Sequence, residues 1–128
     1  MCRARARVAG AGRVTSPFTQ MLEIIRRQRG VTASLVAAEA DGVIVDARLQ
    51  VGQRGDHVAA LAASLYRKAR LSATAAGLGA VGFMQLEAAN GRVCAVGRNG
   101  LVLVAVARRD ANVGLIRVEL LRAAEALA

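Results

Sequence analysis

Residues 80–107 read AVGFMQLEAANGRVCAVGRNGLVLVAVA, and two Asn-Gly pairs, Asn90-Gly91 and Asn99-Gly100, cut this run into three. Asn-Gly is a favoured occupant of a two-residue hairpin loop, because both positions accept positive φ. Apolar runs separated by such loops predict three antiparallel strands in a meander. The last run, residues 101–107, is apolar at every position. That pattern predicts a central strand covered on both faces.

Upstream of the meander, residues 56–75 are Ala-rich and free of Gly and Pro, as suits a helix. Its largest apolar residues place an inner stripe at Val58, Leu61, Ala62, Leu65 and Ala69. Before it come two strand-like runs, residues 32–40 and 43–49, joined by Asp41-Gly42 as a further hairpin turn. The chain's first helix is expected from a Ser16 cap, with Pro17 in its first turn and Gly30 at its end. Phe18, Met21, Leu22 and Ile25 fall at i, i+3, i+4 and i+7 on its apolar face. Beyond the meander, Asp110 can cap a helix in which Val113, Ile116, Leu120 and Leu127 repeat with helical period. The expected order is α-β-β-α-β-β-β-α. Five antiparallel strands with helices on both faces, an α/β (α+β) architecture, buries all of these faces at once.

At 128 residues the chain fits one domain, and its apolar fraction of 55% excludes general disorder. Aromatics are scarce: Phe18, Phe83, Tyr66 and no Trp. Few large anchors are therefore available for a ligand pocket or a base-stacking surface. The net charge is +9, and Arg3, Arg5, Arg7 and Arg13 supply four of those charges. The rest of the chain carries 14 basic against 9 acidic residues, or +5. Clusters lie at Arg26, Arg27, Arg29 and at Arg67, Lys68, Arg70. The basic start, residues 1–14, is expected to be a disordered tail, with the domain spanning residues 15–128. No long apolar stretch follows it, which argues against a secretory signal. The longest apolar run is far short of the ~20 residues a membrane-spanning helix needs. Cys2 and Cys94 cannot build a disulfide framework or a metal site on their own. The cytoplasm is the expected location.

Gly77-Leu78-Gly79-Ala80-Val81-Gly82 spells G-x-G-x-x-G, but in the wrong context. A dinucleotide fingerprint needs a strand before it and a helix after it, so that the helix N-terminus meets the pyrophosphate. Here a helix precedes and a strand follows, so a plain connection is expected. His57 is the only histidine and has no second imidazole or paired thiol to share a metal. Cys94 falls within a strand, as a small buried hydrophobe does. The acids mostly fall at turns, caps and helix surfaces, and no phosphate-binding G-x-x-x-x-G-K-[ST] is present. No catalytic residue, cofactor or metal site is expected. The chain reads as non-enzymatic.

The helix at residues 56–75 is apolar beyond one stripe. Ala59, Ala63, Tyr66 and Arg70 line a second stripe, and the face opposite the expected core carries Ala60, Ala63, Ser64, Arg67, Leu71 and Thr74. A face so short of charge suits a second partner.

The stretch Arg109-Asp110-Ala111-Asn112-Val113-Gly114-Leu115-Ile116-Arg117-Val118-Glu119-Leu120 is similar to the strand-to-helix signature of the Roadblock family of dynein light chains and MglB-like regulators. Val58-Ala59-Ala60-Leu61-Ala62-Ala63-Ser64-Leu65 resembles that family's second helix, and Asp41-Gly42-Val43-Ile44-Val45 its first hairpin. The resemblance implies a longin/profilin-like domain that dimerises edge to edge through its third strand, with the two second helices side by side. On this chain the pairing edge would be Val81, Phe83, Met84, Gln85 and Leu86. The partner-binding face of the second helix would include Ala60, Ala63, Tyr66, Arg67 and Arg70. The implied partner is a small Ras-like GTPase, bound and regulated by a homodimeric platform that offers no nucleotide site and no arginine finger. The alternative is a scaffold for a kinase or a cytoskeletal or motor component. Specific nucleic-acid binding is not expected, since aromatic platforms and a recognition helix are lacking.

Overall fold

The computed structural model describes residues 17–50, 52 and 54–127. The basic tail and the Ser16 cap lie outside the described residues. The elements follow the expected order: α1 (Thr19–Arg26), β1 (Val31–Ala38), β2 (Ile44–Leu49), α2 (Gly55–Ala75), β3 (Met84–Ala88), β4 (Gly91–Arg98), β5 (Leu101–Ala107) and α3 (Val113–Ala126). The five strands form one antiparallel sheet in the order β2-β1-β5-β4-β3.

β5 lies in the middle, between β1 and β4, and its alternating side chains feed two separate cores. Leu103, Ala105 and Ala107 pack with Leu22 and Ile25 of α1 and Ile116 and Leu120 of α3. Val102 and Val104 face the other way, into a layer with Ala59, Ala62, Ala63 and Tyr66 of α2. An apolar residue at every position of β5 is what burial on both faces requires. One polar side chain is fully buried with these strands: Ser34 donates its hydroxyl to the Leu22 carbonyl at 2.8 Å, tying β1 to α1.

The local signals differ from expectation at three places. α1 ends at Arg26, and Gln28 N–H closes a tighter bond to the Ile25 carbonyl before the chain turns at Gly30 with φ +89°. A Cβ on Gly30 would stand 2.7 Å from the Ala111 Cβ, so glycine serves the turn and the packing together. The β4–β5 loop is built as expected, with Asn99 and Gly100 both at positive φ. At Asn90-Gly91 neither residue has positive φ; Gly91 opens β4 opposite Ala88. A Cβ there would come within 2.9 Å of the Ala107 carbonyl oxygen, so that glycine answers a close strand approach. Finally, Asn112 and not Asp110 caps α3, accepting the Leu115 N–H at 3.2 Å, while Asp110 pairs with Arg108. The cap that fits is the residue directly before the first helical turn, where its oxygen reaches the N3 amide.

Candidate interaction surface

The register of α2 decides which of its faces is open. The buried residues are Gly55, Ala59, Ala62, Ala63 and Tyr66. The expected stripe of Val58, Leu61, Ala62, Leu65 and Ala69 is therefore displaced by one residue, about 100° around the helix at 3.6 residues per turn. Leu61 is 64% exposed and Leu65 38%, whereas Ala63 is 1% exposed and Tyr66 4%. Ala63 and Tyr66, expected on a partner-facing surface, belong to the core. The reason is close packing: alanines let the helix lie near the sheet, and Tyr66 lies flat where a Cβ on Gly97 would run into its ring. Larger side chains in that stripe would lift the helix away. The signal available in the sequence was the Ala59, Ala63, Tyr66, Arg70 stripe; reading the biggest residues as inward passed over it.

The two flanks of α2 then meet opposite edges of the sheet. Toward β1 and β2 the flank is engaged. A Cβ on Gly42 would stand 2.7 Å from the Ala60 Cα. Arg67 donates to the Ala40 carbonyl at 2.9 Å. Arg70 makes two hydrogen bonds to one Glu39 oxygen, at 2.6 and 3.1 Å, and that contact raises the guanidinium pKa above its ordinary value. Of the five residues expected to bind a partner, Ala60 and Arg67 remain exposed, Arg70 is half-buried in its ion pair, and Ala63 and Tyr66 are covered.

Toward β3 the flank is open. Val58, Leu61, Ala62 and Leu65 of α2 stand across from Leu86, Val93 and Val106 of the sheet, around an apolar cleft of about 130 Å³. Leu86 is 45% exposed on a strand that pairs only with β4. Val93 of β4 and Val106 of β5 pack at the margin of the α2 layer and are only half-buried there. Sequence reasoning did not single out these two, because their exposure depends on how far the helix extends over the sheet.

Of the expected edge residues, Met84, Gln85 and Leu86 lie on β3. Val81 and Phe83 precede the strand, which is a correction to the expected edge. Both are held inward instead. The Val81 carbonyl accepts the Tyr66 hydroxyl at 3.4 Å, and its side chain packs on the α2 layer. Phe83 packs on the α1–α3 layer, and the Arg117 guanidinium stands 5.2 Å from its ring centroid. Residues two apart on a strand share one face, so Val81 and Phe83, drawn to opposite layers, do not follow a strand's alternation.

The groups with reactive potential are placed for structure. Cys94 is fully buried on β4, and burial pushes its thiol pKa up, away from the nucleophilic thiolate. His57 is exposed in the first turn of α2, with Nε2 3.1 Å from Arg54 Nη2. Asp56 beside it has its carboxyl held below the ordinary value, first by the His57 backbone N–H. Residues 77–82 run from the end of α2 into the approach to β3, with Gly77 and Gly79 at positive φ. No helix among the described residues is long and apolar enough to cross a membrane.

No family model matches the chain. Two proteins of Methanocaldococcus jannaschii are 27% identical to it: MJ1340 over 101 residues (79% of this chain, 88% of that protein) and MJ0714 over 112 residues (88% and 94%). Among solved structures, a Roadblock/LC7 domain from Streptomyces avermitilis superposes with a TM-score of 0.75 at 20% identity, covering 84% of this chain and 92% of that one. MglB in a tetrameric arrangement gives 0.74 at 22% identity, covering 85% and 83%. Myxococcus xanthus MglB gives 0.73 at 16% identity, covering 88% and 94%. The chain has the fold of the Roadblock/LC7 domains.

Proposed function

We propose that this protein is a non-enzymatic regulatory platform, which self-associates through β3 and the leucine flank of α2 and binds a small Ras-like GTPase on the ridge of α2 left exposed. The observation that carries the reading is the inverted packing of α2. Alanines face the sheet, while Leu61 and Leu65 face out beside an edge strand with one free side. An apolar surface continuous with an open edge is a liability in a monomer, and pairing with a second copy removes it. Antiparallel pairing of two β3 strands brings the two α2 helices together, so their leucine flanks cover each other. What stays outward on each helix is Ala60, Ser64, Arg67 and Leu71, at i, i+4, i+7 and i+11.

The platform offers no nucleotide site, so any effect on hydrolysis would come from favouring an active arrangement of the GTPase's own groups. The supporting likeness is to MglB structures and to the family signature at residues 109–120. The test is a titration of an MglB-cognate GTPase, in its GTP-analogue and GDP states, against the parent and against Ser64→Arg and Leu71→Glu. Binding that prefers one nucleotide state and weakens at least about thirtyfold, ~2 kcal/mol, in both variants supports the reading. Equal binding in both nucleotide states points to a tether. Unchanged binding by folded variants removes the ridge as the docking face.

A further inference from the structure

One end of the molecule gathers arginines from segments far apart in sequence. The end of α1 contributes Arg26, the α1–β1 connection Arg27 and Arg29, and the first residue after β5 is Arg108. Together with Thr32 of β1 and Gln50 after β2 they line a concavity of about 350 Å³. Among the described residues no carboxylate lines it.

The helix terminus accounts for part of this charge. Cations near the C-terminal end of α1 complement its dipole, and Arg26 donates to the Val31 carbonyl at 2.8 Å. Arg27 has a distant ion pair with Glu23 at 3.8 Å, and Arg108 one with Asp110 at 3.3 Å, both on the rim. Arg29 belongs to neither pair and lies beyond the helix. Arg108 is brought to the same hollow by the backbone, its N–H donating to the Gly30 carbonyl at 2.8 Å. Four guanidinium-bearing residues converging with two rim acids leave a local excess of positive charge. A bound anion would relieve that repulsion.

We infer that the arginine-lined hollow between the α1–β1 connection and the end of β5 is a binding site for a phosphate group. Guanidinium forks match the oxygen geometry of a phosphate and can bind it through two parallel hydrogen bonds. Thr32 and Gln50 supply neutral polar groups on the β1–β2 side of the hollow. The hollow lies outside the α2–β3 surface, so the inference does not depend on the platform reading.

The shared chemistry is the phosphate; a soluble ligand and a lipid headgroup are its two sources. The experiment is calorimetric titration of the full chain with inorganic phosphate and pyrophosphate at low ionic strength. Cosedimentation with phosphatidylglycerol vesicles and titration with duplex DNA run beside it. Each uses the parent, an Arg29→Ala/Arg108→Ala pair, Arg108→Lys, and Arg98→Ala at the opposite end of β4, with urea midpoints measured to verify folding. One-to-one pyrophosphate binding is expected, weakened about tenfold or more by the alanine pair and partly by Arg108→Lys, which keeps charge but loses the fork. Arg98→Ala is expected to stay within about twofold, as a remote surface change should. Vesicle binding with the same variant pattern, and weaker binding of free phosphate, would support the site with lipid as the source. Absence of binding to phosphate, pyrophosphate and vesicles overturns the inference. So does a loss in Arg98→Ala equal to that in the pair. Binding to DNA alone also overturns it, since the charge would then act as a diffuse polyelectrolyte patch.

Discussion

The sheet has two edges, and the chain treats them in opposite ways. β2 is fastened to both layers. On the α1 side, Arg48 bridges Asp46 at 3.0 Å and Glu23 at 3.2 Å. On the α2 side, Arg67 and Arg70 reach the loop between β1 and β2. A register shift at Val36/Ala37 bends the pairing. Val43 and Val45 are exposed there, but charged residues follow at Asp46 and Arg48. Charges and irregularity are ordinary means of blocking an edge from further pairing. β3 has neither a bulge in its pairing nor an arginine of its own, and its α2-facing side meets leucines. The contrast teaches that sheet order alone does not mark an interface; the side chains beside each edge do.

The largest effect should come from exchanging the roles of two α2 positions. Ala63→Arg places a charge in the layer containing Leu35 and Val104 and should cost about 3 kcal/mol or more in urea unfolding. Leu61→Arg, on the open flank, should change the stability of the isolated monomer by under about 0.5 kcal/mol. Parent-like stability of Ala63→Arg would falsify the observed register of α2, and with it the contrast between flanks.

Next in size is self-association. Light scattering during gel filtration should show the parent as a dimer at micromolar concentration, and a monomer of 13.3 kDa would break the comparison outright. Leu86→Arg should weaken the dimer about thirtyfold or more, ~2 kcal/mol. Val45→Arg on β2 should leave it unchanged. Equal losses at both edges would show that the charges on β2 do not close it.

Smaller still is the fastening of the closed edge. Arg70→Ala leaves the Glu39 carboxylate, largely shielded, without its guanidinium, and should lower the urea midpoint modestly. Arg48→Ala should cost about 0.5 kcal/mol, since Glu23, one of its two partners, is more open to solvent. Urea midpoints of both variants measure these, and dimerisation should survive in each.

The smallest effect is a rate. Cys94 pairs with Gln85 across the β3–β4 ladder, so its labelling reports how often the open side of the sheet loosens. Iodoacetamide at neutral pH should modify Cys94, resolved from Cys2 by peptide mass mapping, at least about tenfold more slowly in the native protein than in the urea-unfolded chain. Burial raises the folded thiol pKa, so stability from this group is intact below the unfolded value of ~8.5 and declines as pH rises beyond it. Native labelling as fast as unfolded labelling would place Cys94 at a surface.

The element order, the antiparallel meander and the central position of β5 were legible in the sequence because each depends on local periodicity or on an unbroken apolar run. Asn99-Gly100 specified its turn because positive φ at two successive residues is a local requirement. The rotation of α2 was not legible in the same way. Its sequence supports two adjacent stripes, one of leucines and one of alanines, and transfer free energy favours burying the leucines. Tertiary packing reversed that preference: Gly97 and the tightly paired β1, β5 and β4 leave room only for small side chains and one flat ring. The same lateral placement decided that Val93 and Val106 stay only half-buried, and that Arg29 and Arg108, 79 positions apart, line one hollow. The sequence by itself determined which elements form and in what order they pair. Only the tertiary structure decided which face of α2 is inside, because that choice depends on the shape of a surface assembled from residues distant along the chain.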